Sequence, residues 1–85
     1  MKKGQQVFIR AIPFHYTGRI KKITPTTLYL EDAAWIADSG RFFNALNSGE
    51  FKEVEPYPDG VVVELQRAVI VECSNWPHSL PRKQK

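Results

Sequence analysis

The stretch Tyr16–Ala33 reads YTGRIKKITPTTLYLEDA and predicts two β-strands joined by a short turn. Alternate positions over residues 16–20 are small or apolar, which is the period of a strand with one buried face. The turn is expected at residues 24–27, Thr-Pro-Thr-Thr. Leu28 and Leu30 then resume the same alternation on a second strand. The stretch therefore predicts an antiparallel pair of half-buried strands.

Gly18 lies in the interior of the first of these strands, where a glycine normally weakens the structure. A residue without Cβ is favourable where a strand bends sharply to close a small barrel, because a side chain there would be crowded inside the curve. Ile23 departs from the alternation by one position, which predicts a bulge just before the turn. Both features favour a strongly bent sheet.

A short helix is expected to follow these two strands. Phe42, Phe43 and Leu46 recur at helical spacing after Asp38, and Gly49 stands where a left-handed residue can end a helix. These apolar residues are expected to cover an opening of the barrel. Residues 53–60 contain two prolines and an Asp-Gly pair and are expected to form a loop.

The remaining apolar runs complete a mainly β fold. Strands are expected at residues 7–12, 61–65 and 68–73, the last two joined through Gln66-Arg67 as a tight hairpin. The sequence thus predicts a small, strongly bent, five-stranded antiparallel barrel with a short helix inserted between strands 3 and 4. One barrel domain is expected over residues 1–73, and residues 74–85 are expected to form an extended or mobile basic tail.

The charge is distributed unevenly along the chain. Residues 1–30 carry six bases and no acid, residues 31–64 carry a net charge of −6, and residues 65–85 carry a net charge of +3. This polarity is compatible with an anion-binding face, with attraction between neighbouring subunits, or with a solvated surface alone. The charge pattern by itself does not require a polyanionic partner.

Several classes of function lack the residues that they need. Cys73 is the only cysteine, and His15 and His78 lie far apart, so no disulfide, no metal site and no cofactor is predicted. Glu31 and Asp32 are adjacent on a predicted strand and are expected to point to opposite faces, which does not suit general acid–base catalysis. We therefore expect a protein that is not an enzyme. The polar residues after Met1 and the absence of a long apolar run predict no signal peptide and no membrane span, and hence a cytoplasmic location.

The opening stretch resembles the first signature of the Sm-like (Lsm, Hfq-related) family. The matching positions are Tyr16-x-Gly18-x-Ile20-x-x-Ile23 and, after the turn, Leu28-x-Leu30-Glu31-Asp32-Ala33. Arg67-Ala68 followed by an apolar run is similar, more loosely, to the second signature. The turn carries threonines where the family usually has Asp and Asn, and no stacking aromatic residue is present there.

The resemblance implies an assembly and a ligand. Sm-like barrels pair edge strands between subunits, so a homo-oligomeric ring of about five to seven copies is expected. By the motif match, contacts to single-stranded RNA or other nucleic acid are expected at Thr26, Thr27 and Arg67. An alternative is a ring without a nucleic-acid role, which binds a protein partner through the inserted helix together with Trp35, Tyr57 and Trp76.

Overall fold

The computed structural model describes residues 1–85, and most of its regular structure is β-strand. The elements in chain order are β1 (Gln6–Ala11), β2 (His15–Ile23), β3 (Thr27–Asp38), the helix α1 (Phe42–Ser48), β4 (Glu53–Pro56), β5 (Val63–Gln66), a 3-10 turn (Arg67–Val69) and β6 (Ile70–Asn75). The strands form a single antiparallel sheet with the order β4-β3-β2-β1-β6, to which β5 adds by pairing with β3. The mainly β class and the helix between the third and fourth strands are thus confirmed.

The strand β3 is bent and shares one edge between two partners. Its residues 27–30 pair with β5, whereas its residues 34–38 pair with β4. Between these two regions Asp32 adopts a φ of 49°, in the left-handed part of backbone space. The bend shifts the alternation by one position, so that Ala33 rather than Asp32 shares a face with Leu30.

Gly18 lies where β2 packs closely against this bent strand. A Cβ atom at Gly18 would lie 3.2 Å from Cβ of Leu30 and 3.4 Å from Cα of Ala33, closer than most contacts of a real Cβ. The pairing between β2 and β3 also shifts register between Thr17 and Arg19 and again between Ile20 and Lys22. The predicted crowding at Gly18 and the predicted irregularity before the turn are therefore both confirmed.

Two apolar clusters lie on opposite sides of the sheet, because neighbouring residues of β1 contribute to different clusters. The first cluster consists of Val7, Ile9, Ala11, Ile20, Leu28, Leu30, Ala33 and Leu65. The second lies beneath α1 and consists of Phe8, Ala34, Ile36, Ala45, Phe51, Val54 and Trp76. Both faces of the central strands are therefore covered, which explains the near-continuous apolar composition of β1.

Two predictions about the later strands are wrong. Glu53–Pro56 is not a loop but the strand β4, so the sheet has six strands rather than five. The hairpin through Gln66-Arg67 is absent: the 3-10 turn at Arg67–Val69 separates β5 and β6, which pair with β3 and β1 respectively. Because β5 and β6 do not pair with each other, the sheet is open rather than closed into a barrel.

The carboxyl-terminal segment 76–85 has no helix or strand, and it packs along α1 and β4. Trp76 is 1% exposed and its ring stacks on Phe51 at a centroid distance of 5.1 Å. At the far end of the segment, the backbone of Lys85 exchanges two hydrogen bonds of 3.0 Å with the backbone of Val54. Strand β6 itself continues to Asn75, two residues beyond the expected domain boundary. The segment thus covers part of the second apolar cluster.

Candidate functional site

The turn between β2 and β3 is held by the side chain of its first threonine. The Thr27 amide donates a 2.9 Å hydrogen bond to Oγ1 of Thr24, and the Thr24 amide donates a 2.9 Å bond to the carbonyl of Thr27. Threonine hydroxyls stabilise turns in this way because they bond to backbone groups a few residues away. The loop between the strands is therefore fixed in shape before any ligand arrives.

Arg67 contacts this turn although it is 43 residues away from Thr24 in the chain. Its backbone amide donates to the carbonyl of Thr26 at 2.8 Å, and its guanidinium Nη1 donates to the carbonyl of Thr24 at 3.2 Å. The Arg67 side chain is exposed and forms no ion pair. Its remaining guanidinium donors are consequently free to bind an anion.

The structure brings the three residues predicted from the motif into contact, but not with equal access to solvent. Thr26 and Arg67 are exposed, whereas Thr27 is only 6% exposed because β3 begins there and pairs with β5. The Thr27 hydroxyl lies 3.2 Å from that of Thr26. Thr27 therefore orients its neighbour, and Thr26 and Arg67 form the surface that a ligand can reach.

The carboxylates of Glu31 and Asp32, near the middle of β3, form ion pairs. Asp32 accepts a 2.6 Å hydrogen bond from Nη1 of Arg19, and Oε1 of Glu31 lies 4.0 Å from the same nitrogen. Arg82 also reaches Asp32, at 4.0 Å, and donates a 2.7 Å hydrogen bond to Asp59. Both acids thus approach one guanidinium, and their expected orientation toward opposite faces is not maintained at the bend.

The residues named for a protein partner occupy different environments. Trp76 is buried, so its predicted position at a docking surface is wrong. Trp35 and Tyr57 are half-buried, and Tyr57 packs against the first apolar cluster. Within α1, Ala45 is the buried residue and Phe43 is 74% exposed, so Phe43 does not cover the sheet as the spacing predicted.

Lysines beside the turn were not singled out by the sequence reasoning. Lys21 and Lys22 directly precede Ile23 and the turn, and both are exposed. Together with Lys3 they line a hollow on the surface. The sequence does contain a sign of this basic surface, because the adjacent pair Lys21-Lys22 directly precedes Ile23, where the strand alternation fails.

Three other side chains have shifted pKa values: His15 and Tyr16 at the start of β2, and Cys73 in β6. Burial lowers the pKa of His15, and the nearby Arg10 acts in the same direction while Glu72 opposes it. Burial likewise raises the pKa values of Tyr16 and of the Cys73 thiol. His, Cys, Asp and Glu side chains nowhere gather in a group of three or more that could hold a metal ion.

Comparison of the chain with models of known protein families gives no match, and a search of curated proteins gives none either. The single α-helix is too short to cross a membrane.

Proposed function

We propose that this protein is an Sm-like, ring-forming protein of the cytoplasm that binds single-stranded RNA, or another single-stranded nucleic acid, without catalysing a reaction. The observation that carries the proposal is the contact between Arg67 and the turn at residues 24–27. One backbone and one guanidinium hydrogen bond hold Arg67 against this turn, which carries the exposed Thr26, and the exposed guanidinium forms no ion pair. Guanidinium and hydroxyl groups are common contacts to phosphate and sugar.

Free strand edges support assembly into a ring of about five to seven subunits. Strand β6 pairs only with β1, and β5 pairs only with β3, so each presents one unpaired edge. Apolar side chains are exposed next to these edges, with Val62 at 37%, Val69 at 38% and Val71 at 54%. Pairing of β5 from one subunit with β6 of the next would cover both edges. A ring would also repeat the Arg67 contact once per subunit and so strengthen binding.

Fluorescence anisotropy with labelled U-rich and A-rich oligonucleotides tests this proposal. The wild-type protein is expected to bind at physiological salt, and Arg67→Ala is expected to bind at least about tenfold more weakly, because a charged hydrogen bond to phosphate contributes roughly 1.5 to 3 kcal/mol. Arg41→Ala is the matched control, since Arg41 is exposed beside α1 and its side chain makes no capping hydrogen bond. Absence of binding by the wild type, or equal binding by Arg67→Ala, would contradict the proposal.

A second candidate function is a ring that binds a protein partner, and the exposure of α1 favours it. Phe43 is 74% exposed on this helix, and Phe42 beside it is 37% exposed. Exposed aromatic side chains next to each other are typical of protein-binding surfaces. Capture experiments with wild type and Phe43→Ser, each with and without nuclease, separate the two functions. Recovery of a protein that survives nuclease and is lost with Phe43→Ser would support this second candidate.

A further inference from the structure

We propose that Lys3, Lys21 and Lys22 form a phosphate-binding surface, the lysine surface, which holds the backbone of a single-stranded nucleic acid beside the turn at residues 24–27. The inference rests on the proposed function and deepens it, because none of these lysines belongs to the motif that predicted Thr26 and Arg67. Three features of the structure support the proposal: two of them place the lysines side by side, and the third concerns their charge.

The first feature is the irregular pairing near the end of β2. Ile20 is buried in the first apolar cluster, and in a regular strand Lys22 would point to the same side as Ile20. The register between β2 and β3 shifts between Ile20 and Lys22, and both Lys21 and Lys22 are exposed. A bulge re-aims side chains in this way. It places two adjacent ammonium groups in solvent at the strand end.

The second feature is the amino-terminal turn, which brings a third cation to the same place. The Gly4 amide donates a 2.7 Å hydrogen bond to the carbonyl of Ile20, and the Ile20 amide donates a 2.9 Å bond to the carbonyl of Gln5. These bonds extend the pairing of β1 with β2 by two residues. Gly4 has a φ of 89°, which reverses the chain directly after Lys3. Lys3 therefore lines the same hollow as Lys21 and Lys22.

The third feature is the excess of positive charge. None of the three lysines forms an ion pair. Glu31 is the one acid that lines the hollow, and its carboxylate lies 4.0 Å from the guanidinium of Arg19. The ammonium of Lys22 lies 5.4 Å from the centre of the Tyr29 ring, a cation–π contact that orients this side chain. The hollow therefore carries net positive charge and complements a polyanion.

The lysine surface adjoins the motif site along the chain. Lys22 is separated from Thr24 by Ile23 alone, and the Thr24 carbonyl accepts the hydrogen bond from Arg67. A strand whose phosphate lies near Arg67 can extend along β2 and meet successive ammonium groups. The lysines thus supply the charge contacts, and the turn supplies the hydroxyl of the exposed Thr26, which can contact sugar or base.

Salt dependence of binding is the direct test, because each phosphate contact on a single strand adds about 0.7 to the slope of log affinity against log salt concentration. We compare the wild type with the triple variant Lys3→Gln, Lys21→Gln, Lys22→Gln, using a labelled short oligouridine. The triple variant is expected to lower the slope by roughly 2 and the affinity by at least about tenfold at 0.1 M salt. A double variant, Lys52→Gln with Lys83→Gln, removes two other exposed lysines and is expected to bind within about twofold of the wild type.

Conservative replacement separates lost charge from lost structure. The variant Lys3→Arg, Lys21→Arg, Lys22→Arg keeps three cations and is expected to keep the wild-type slope. If the wild type binds and the glutamine variant keeps its slope, the lysine surface is overturned while the proposed function stands. If the wild type does not bind at all, both fall. If the arginine variant also loses the slope, the lysines act through local structure rather than charge, and the lysine surface is again overturned.

Discussion

Gly18 of β2 and Leu30 of β3 lie so close that a methyl group on Gly18 would come within 3.2 Å of Cβ and 3.3 Å of Cδ1 of Leu30. Leu30 is fully buried, so it has little room to move away. Gly18→Ala is therefore expected to lower the free energy of unfolding by about 1 to 3 kcal/mol, as overpacking of a core does. Urea unfolding monitored by tryptophan fluorescence measures the change.

A double-mutant cycle isolates this contact from any general effect of replacing glycine. Leu30→Ala alone removes apolar packing and is expected to cost about 2 to 5 kcal/mol. The combined variant Gly18→Ala, Leu30→Ala is expected to lose somewhat less than the sum of the two single variants. The second substitution removes Cδ1 of Leu30, which would lie 3.3 Å from the new methyl group, although the contact with Cβ at 3.2 Å remains. Strictly additive losses would contradict the assignment of crowding to this pair.

Gly49 and His78 form a second close pair, which attaches the carboxyl-terminal segment to α1. A Cβ atom at Gly49 would lie 2.5 Å from Cγ of His78, and Nε2 of that imidazole is 2.8 Å from the carbonyl of Leu46. Gly49→Ala is expected to displace the His78 ring and to loosen residues 76–85. Faster proteolytic removal of this segment, followed by mass spectrometry, is the expected readout.

Gly60→Ala is the matched control for this variant. Gly49 and Gly60 both have positive φ, at 78° and 86°, but a Cβ at Gly60 would meet no atom within 4 Å. Gly60→Ala should therefore show only the conformational cost of a left-handed alanine, roughly 1 to 2 kcal/mol, and no change in proteolysis of the segment. Equal effects of both substitutions would show that the contact with His78 does not hold the segment.

His15 predicts a specific dependence of stability on pH. Burial, assisted by Arg10, lowers its pKa from the usual 6.5, so the unfolded chain takes up this proton at a higher pH than the folded protein does. Its contribution to the free energy of unfolding is therefore complete above about pH 6.5 and falls as the pH decreases toward the lowered pKa, by at most about 1.4 kcal/mol per pH unit.

His15→Gln removes this titration and serves as the comparison. The difference in unfolding free energy between about pH 7.5 and pH 5.5 is expected to be smaller in the variant than in the wild type. Urea unfolding at both pH values provides the measurement. An identical pH dependence in the two proteins would mean that protonation of His15 does not oppose folding.

Cys73 is expected to react slowly as long as the protein is folded. Burial raises the pKa of its thiol above the usual 9.0, so little thiolate exists near neutral pH. Reaction with a disulfide reagent is expected to accelerate at least about tenfold on unfolding. The control is Ser74→Cys in a Cys73→Ser background, since Ser74 is exposed on the same strand. Equally fast labelling of folded Cys73 would contradict the burial argument.

The sequence predicted those parts of the fold that depend on local pattern. Alternation and the interior glycine gave β2, its irregularity and the close contact at Gly18, because these features act between neighbouring strands. The strand β4 was missed because two glutamates and a proline have low strand propensity, and pairing with β3 outweighs it. The predicted hairpin is wrong because apolar alternation does not show which strand will be the pairing partner. The 3-10 turn at Arg67–Val69 redirects the chain, so that β6 pairs with β1 rather than with β5.

The candidate site could be predicted only in part for the same reason. The motif placed Thr26 and Arg67 together, and the structure has them in contact. The position of Lys3 beside Lys21 depends on the reversal at Gly4 and on the bulge, which are set by backbone pairing over the sheet. Trp76 was misplaced because a tryptophan between polar residues and a proline reads as surface, although it anchors the terminal segment in the second cluster.

Native mass spectrometry of the protein mixed with a short oligouridine tests ring formation and nucleic-acid binding in one experiment, because it reports subunit number and bound nucleic acid together. The wild type is expected to give a single closed assembly of about five to seven chains carrying oligonucleotide. Arg67→Ala is expected to give an assembly with the same subunit number but little bound oligonucleotide. A stable monomer of 9.8 kDa without bound oligonucleotide would contradict both the ring and its binding of nucleic acid.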